Sequence, residues 1–209
     1  MLRVGLTGGL ASGKSFAAAE FSRLGCAVLE ADKLGHQVLA DDMRARAEVV
    51  AEFGTGILGP GGAIDRKALA AIVFADASRL ERLNAIIHPR VFDRIEGFFE
   101  AVEKLATGLV AMVEAAVMIE SGSYKRYQRI VLASCPRDAQ IERFVQRDGG
   151  TRADAESRID RQMPLSEKRR YAHFVIDTGG TEEQTVCQVR EIYQKLRAEA
   201  LRPSVTAVN

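Results

Sequence analysis

The strongest chemical signal in the chain is Gly8-Gly9-Leu10-Ala11-Ser12-Gly13-Lys14-Ser15. It fits the spacing G-x-x-x-x-G-K-[ST], with a β-like run before it and a helix-forming run after it. Glycines at 8 and 13 let the backbone bend so that successive N–H groups face inward, an anion nest at the positive end of the next helix. Lys14 is placed to reach the β and γ phosphates of a nucleotide and Ser15 to ligand Mg²⁺. The expected nucleotide-contacting set is therefore Gly8, Ala11, Ser12, Gly13, Lys14, Ser15 and Phe16; the Phe16 ring is expected to pack under the helix. Glu114 interrupts an apolar run, and burying a lone carboxylate demands a partner, either Mg²⁺ with its water shell or a structural ion pair. Arg143 and Arg147 stand four apart, so on a helix they share one face and can converge on an anion. The competing reading of Arg147 is a salt bridge to Glu142, Asp148 or another carboxylate of the 147–171 segment.

Elements that could hold these residues alternate along the chain. Short apolar runs at 2–6, 27–29, 109–113, 129–133 and 173–176 read as strands, and 3.6-period segments lie between them. This alternation predicts an α/β fold with a mainly parallel sheet whose strands are covered on both faces. Helices are expected at 13–24, 34–52, 65–74, 78–87, 90–106, 136–146, 153–161 and 182–199, with Asp65 as a cap and a break at His88-Pro89. The stretch between the second and third strands is all helical in pattern. The segment 147–171 is strongly charged and weakly hydrophobic, suiting a helical flap. The expected organisation is one domain, 1–201, with a core at 1–34, 107–146 and 172–201, a helical insertion at about 35–106 and a lid at about 147–171. The tail 202–209 has no periodicity and is expected to fray.

Composition narrows the partners. With 29 Lys+Arg against 28 Asp+Glu the net charge is +1, so the broad basic field of non-specific nucleic-acid binders is missing and an anionic ligand needs a local site. The run from Leu109 to Ile119 falls well short of the roughly 20 residues of a membrane span. No signal-peptide pattern opens the sequence, and a cytoplasmic chain with no membrane partner is expected. Cys26, Cys135 and Cys187 are far apart and form no C-x-x-C pair, which argues against a disulfide framework or a zinc site.

Among phosphate-loop proteins, the guanine-reading Asn-Lys-x-Asp is missing, because neither Asn84 nor Asn209 is followed by lysine. The Gly-Lys-Gly-Thr of adenylate-kinase-like loops and the Arg-Gly-Gly of shikimate-kinase-like chains are missing too. Insertions able to cover a site still suit a small-molecule kinase, which must keep water from the phosphoryl group. By these residues alone, another small-molecule or nucleoside kinase, or a nucleotide-binding regulatory module, carries the same loop.

Further motifs add to it. The phosphate loop from Leu6 to Ser15, then Glu30-Ala31-Asp32, Phe53-Gly54, Ile64-Asp65-Arg66, Val73-Phe74-Ala75-Asp76, Ile87-His88-Pro89, Arg147-Asp148-Gly149, Gln162-Met163 and Val175-Ile176-Asp177, in that order, resemble the dephospho-CoA kinases. The resemblance implies a phosphate-loop kinase fold, a five-stranded parallel sheet flanked by helices, with helical substrate-binding and lid insertions. It implies ATP-dependent phosphorylation of the ribose 3′-hydroxyl of dephospho-CoA, with ATP and Mg²⁺. Asp32 matches the acidic residue near the acceptor hydroxyl, as general base or orienting group; the alternative is a helix cap. Arg147 opens the lid motif and would stabilise charge on the transferring phosphoryl group, with Arg143 beside it on the nucleotide. Arg66 and His88 fall in motifs on the acceptor side. At 114–120 the chain reads Glu-Ala-Ala-Val-Met-Ile-Glu where the family usually shows Asp-x-Pro-Leu-Leu, so the metal role of Glu114 does not follow from the resemblance.

Overall fold

The structure is a computed structural model that describes residues 1–202; residues 203–209, within the expected tail, lie outside the described residues. Five strands form one parallel sheet in the order β2-β3-β1-β4-β5, from β1 (Leu2–Gly8), β2 (Ala27–Glu30), β3 (Val110–Glu114), β4 (Arg129–Ser134) and β5 (Phe174–Asp177). All five expected strands are present. Most run one or two residues further at their carboxyl ends, because ladder pairs such as Gly8 with Ala133 and Glu30 with Glu114 satisfy backbone groups whatever the side chain. β1 is central, between β3 and β4. The chain leaves it toward β2 and β3 on one side and then crosses to β4 and β5 on the other, so the carboxyl end of β1 is the topological switch point where open α/β sheets place ligands.

Residues 1–30 and 99–202 make one compact unit. On one sheet face Leu2, Val4 and Leu6 alternate inward with Val110, Met112, Val131 and Ile176. They are covered by Ala17, Ala18 and Phe21 of α1 (Lys14–Arg23) and by Val189, Ile192 and Leu196 of the carboxyl-terminal helix. On the other face Gly5 is needed for close approach: a Cβ there would lie 2.4 Å from Met118 Sδ. After β4, α6 (Arg137–Asp148) and α7 (Arg152–Asp160) fall where helices are expected at 136–146 and 153–161, and a short α8 (Leu165–Lys168) follows that the sequence pattern does not predict. Gly149 in the left-handed conformation ends α6, and a Thr151/Asp154 capping box starts α7.

The unit Ala31–Phe98 is helical. Its core gathers Val38, Val49, Phe53, Ile57, Leu69, Val73 and Ile87. Two expectations are corrected here. The single helix expected at 34–52 is two, α2 (Ala31–Asp41) and α3 (Met43–Phe53), because Asp42 turns extended and caps α3 through the Ala45 N–H at 2.9 Å. The break expected at His88-Pro89 does not occur: α5 (Ala77–Leu105) runs straight through Pro89. An interior proline costs about 3 kcal/mol, and the apolar periodicity that buries Ile87 and Ile95 outweighs it. Asp65 caps α4 (Arg66–Ala75) as expected, accepting from the Lys67 and Ala68 N–H groups. Among the described residues no helix is long and apolar enough to cross a membrane.

Candidate active site

The loop between β1 and α1 is shaped by two positive φ angles. Gly13, at +80°, is the N-cap of α1, and Ala11 is at +50°, an uncommon state for a residue with a Cβ. Gly8 admits no side chain either: a Cβ would fall 2.3 Å from Ser12 Oγ and 2.9 Å from the Ala133 carbonyl oxygen. Inside the loop the Gly9 N–H donates to Ser12 Oγ at 3.0 Å. The first turn of α1 has neither a side-chain cap nor an acidic residue, so the N–H groups of Lys14, Ser15 and Phe16 head an uncompensated positive helix end. Phe16 is half-buried.

Three loop carbonyls are held from outside. Gly8 O accepts from Lys168 Nζ at 3.0 Å, Leu10 O from Gln140 Nε2 at 2.7 Å and Ser12 O from Thr178 Oγ1 at 2.7 Å. A planar trans peptide points its N–H opposite its C=O, so these bonds set the directions of the Gly9, Ala11 and Gly13 N–H groups. Lys168, Gln140 and Thr178 are all buried. Sequence reasoning missed Lys168 and Gln140. Lys168 stands in Glu167-Lys168-Arg169-Arg170, a run that reads as solvated surface, and nothing local marks it as buried.

Glu114, the last residue of β3, lies in register with Leu6 and is 3 % exposed. Its Oε1 accepts from Lys14 Nζ at 2.5 Å and from Ser15 Oγ at 2.7 Å, while Oε2 is buried without a hydrogen-bond partner. Both readings of Glu114 therefore meet in one group: it is ion-paired, and it keeps one oxygen for something else. An orphaned carboxylate oxygen beside a serine hydroxyl is an all-oxygen donor set, which suits Mg²⁺. Among the described residues no group of three or more His, Cys, Asp or Glu could hold a metal.

Arg143 and Arg147 sit on α6 but engage different partners. Arg143 Nη2 donates to the Thr178 carbonyl at 2.5 Å. Arg147 is exposed and forms a two-point pair with Asp148 at 2.7 and 2.9 Å, which lowers the Asp148 pKa and raises that of Arg147. Of the other arginines in this segment, Arg152 pairs with Asp138 and Glu156, and Arg158 lies over the Phe144 ring at 5.1 Å.

In the helical unit, Asp32 occupies the first turn of α2 and is exposed, so it is a helical residue rather than a cap before the helix. His36 lies one turn on. Burial lowers its pKa most, the Arg66 charge adds to this and the Asp32 charge opposes it. His88 is half-buried, its ring 6.0 Å from that of Phe92, and burial lowers its pKa.

A glycine-shaped anion nest at a sheet switch point, with a lysine, a serine and a buried carboxylate, defines the phosphate-loop kinases. The chain belongs to the dephospho-CoA kinase family, whose pattern it matches over residues 2–184. It is 42% identical over 193 residues to the dephospho-CoA kinase of Geobacter sulfurreducens, covering 92% of this chain and 97% of that one. The enzyme of that name from Aquifex aeolicus is 40% identical over 196 residues, covering 94% and 98%. A crystal structure from Thermus thermophilus superposes with a TM-score of 0.82 at 29% identity, covering 97% of this chain and 98% of the other. In fold alone the chain also matches a shikimate kinase from Acinetobacter baumannii, TM-score 0.51 at 15% identity, covering 97% and 96%.

Proposed function

We propose that this chain transfers the γ-phosphoryl group of ATP to the ribose 3′-hydroxyl of dephospho-CoA, giving coenzyme A and ADP. The observation that carries the transfer chemistry is the preorganised loop with Lys14 and Ser15 gathered on Glu114; the acceptor follows from family membership. The N–H groups from Ala11 to Phe16 cradle the triphosphate, and Lys14 draws charge off its β and γ oxygens. Ser15 and Glu114 would hold Mg²⁺, which would supply positive charge to neutralise the charge developing on the phosphoryl group. The acceptor oxygen forms a bond to the γ phosphorus as the bond to the β–γ bridging oxygen breaks, and the hydroxyl proton passes to Asp32. A carboxylate is too weak a base to remove that proton early, but a loose transition state asks only for orientation and late acceptance.

Arg147 stabilises the transferring group after exchanging its Asp148 partner for phosphate, and Arg143 contacts ATP. Arg66 and His88 contact the acceptor. A cytoplasmic location belongs to the same proposal.

The test gives purified protein ATP, Mg²⁺ and dephospho-CoA and follows coenzyme A by mass spectrometry, with adenosine and shikimate as rival acceptors. Coenzyme A is the expected product; turnover on a rival without it overturns the proposal. Lys14→Ala is expected to abolish transfer. Asp32→Asn is expected to keep ATP affinity and lose about 10²–10⁴-fold in kcat, and unchanged kcat removes its role.

A further inference from the structure

Of the three side chains behind the phosphate loop, one is a cation with no place in the mechanism above. Lys168 ends α8 with a fully buried side chain. Its Nζ donates to Gly8 O at 3.0 Å and to Ala116 O at 2.6 Å, and pairs with Glu120 Oε1 at 2.9 Å. The same Glu120 oxygen accepts the Met163 N–H at 3.0 Å, and Gln162 Oε1 accepts the Leu10 N–H at 2.9 Å. Residues 162–168 are thus joined to the loop at Gly8 and Leu10 and to the segment after β3 at Ala116 and Glu120. Taking an ammonium group out of water costs several kcal/mol, and well-packed apolar side chains often serve stability as well as a buried ion pair. Packing alone does not explain the lysine. Its placement on a loop carbonyl does: Gly8 O and the Gly9 N–H belong to one rigid peptide plane, and a charged donor holds that plane more firmly than a neutral one.

We propose that Lys168 is a positioning residue for ATP, which through Gly8 O and its pair with Glu120 fixes the first peptide of the phosphate loop, whose Gly9 N–H is bonded to Ser12 Oγ, and with it the loop shape that presents the N–H groups from Ala11 to Phe16. It touches no reacting atom. The inference rests on the phosphoryl-transfer reading, so its test begins with direct ATP binding, which needs no acceptor.

Binding of ATP with Mg²⁺ is measured by calorimetry on the wild type, on Lys168→Met and on the double variant Lys168→Met/Glu120→Gln. The double variant removes the orphaned carboxylate charge that the single change leaves. The Kd for ATP is expected to weaken about tenfold, the effect of losing part of a charged hydrogen bond, and to stay weak in the double variant while its melting temperature recovers. KM for dephospho-CoA is expected to stay within about twofold, since the loop it affects carries only the nucleotide. An ATP Kd that returns to wild type along with the melting temperature, or KM values that rise together for both substrates, makes Lys168 merely structural and overturns the proposal. Should the single variant not fold, the double variant alone decides. A wild type that does not bind ATP overturns the phosphoryl-transfer reading instead.

Discussion

Glu114 concentrates the residue-scale chemistry. One of its oxygens holds Lys14 and Ser15 together and the other is buried without a partner. An unsatisfied buried acceptor costs about 1–3 kcal/mol, more when charged, and a fold retains that cost where a ligand relieves it. Glu114→Gln keeps the shape and one acceptor but removes the charge that would face a cation. It is expected to raise the Mg²⁺ concentration for half-maximal activity about tenfold, the weakening expected when a hard cation loses an anionic ligand; an unchanged Mg²⁺ titration would show that the carboxylate only places Lys14. The sequence carried the lysine, the serine and the need for a partner at 114. It did not carry their meeting, because Lys14 and Glu114 become neighbours only when β1 pairs with β3.

At the scale of elements, the strand, loop and helix from Leu2 to Arg23 were legible because motif, hydrophobic pattern and glycine placement agree locally. Gly13 is the most constrained point. It needs φ of +80°, and a Cβ would meet Thr178 at 3.0 Å, the residue that holds Ser12 O. Gly13→Ala is expected to destabilise the protein by about 1–2 kcal/mol from the left-handed backbone alone, read from urea unfolding, and to abolish ATP binding by calorimetry. Wild-type affinity in Gly13→Ala would show that the loop tolerates a different shape. The helical unit was less legible. The sequence pattern puts Asp42 inside a helix and a break at Pro89, and the structure differs at both because caps and packing outweigh intrinsic propensity once the apolar faces of α2, α3, α4 and α5 meet around Val38, Leu69 and Ile87.

For the whole molecule, a net charge of +1 sits beside a site whose positive potential is local, made by a helix end, loop N–H groups and Lys14. The histidines and carboxylates whose titration shifts all shift downward. His36 and His88 have pKa values lowered chiefly by burial. Asp41 is lowered by its bond to Arg94, Asp148 by Arg147 and Asp154 by Thr151. Groups depressed on folding contribute stability above their unfolded pKa and lose it as pH falls through the folded value. Melting temperature is therefore expected to decline below about pH 6.5 as the histidines charge and again below about pH 4 as the carboxylates protonate. His88→Gln should flatten the upper step; an unaltered upper step in that variant would put the effect elsewhere. The sequence by itself determined the alternation of strands and helices, the phosphate loop and the family, because each is written in local spacing. Only the tertiary structure decided that Lys14 and Ser15 share Glu114, that Arg143 and Arg147 part company, and that Lys168 is buried behind the loop. Each of these joins groups far apart in the chain, and a charged side chain reads as surface until the fold encloses it and supplies its partners.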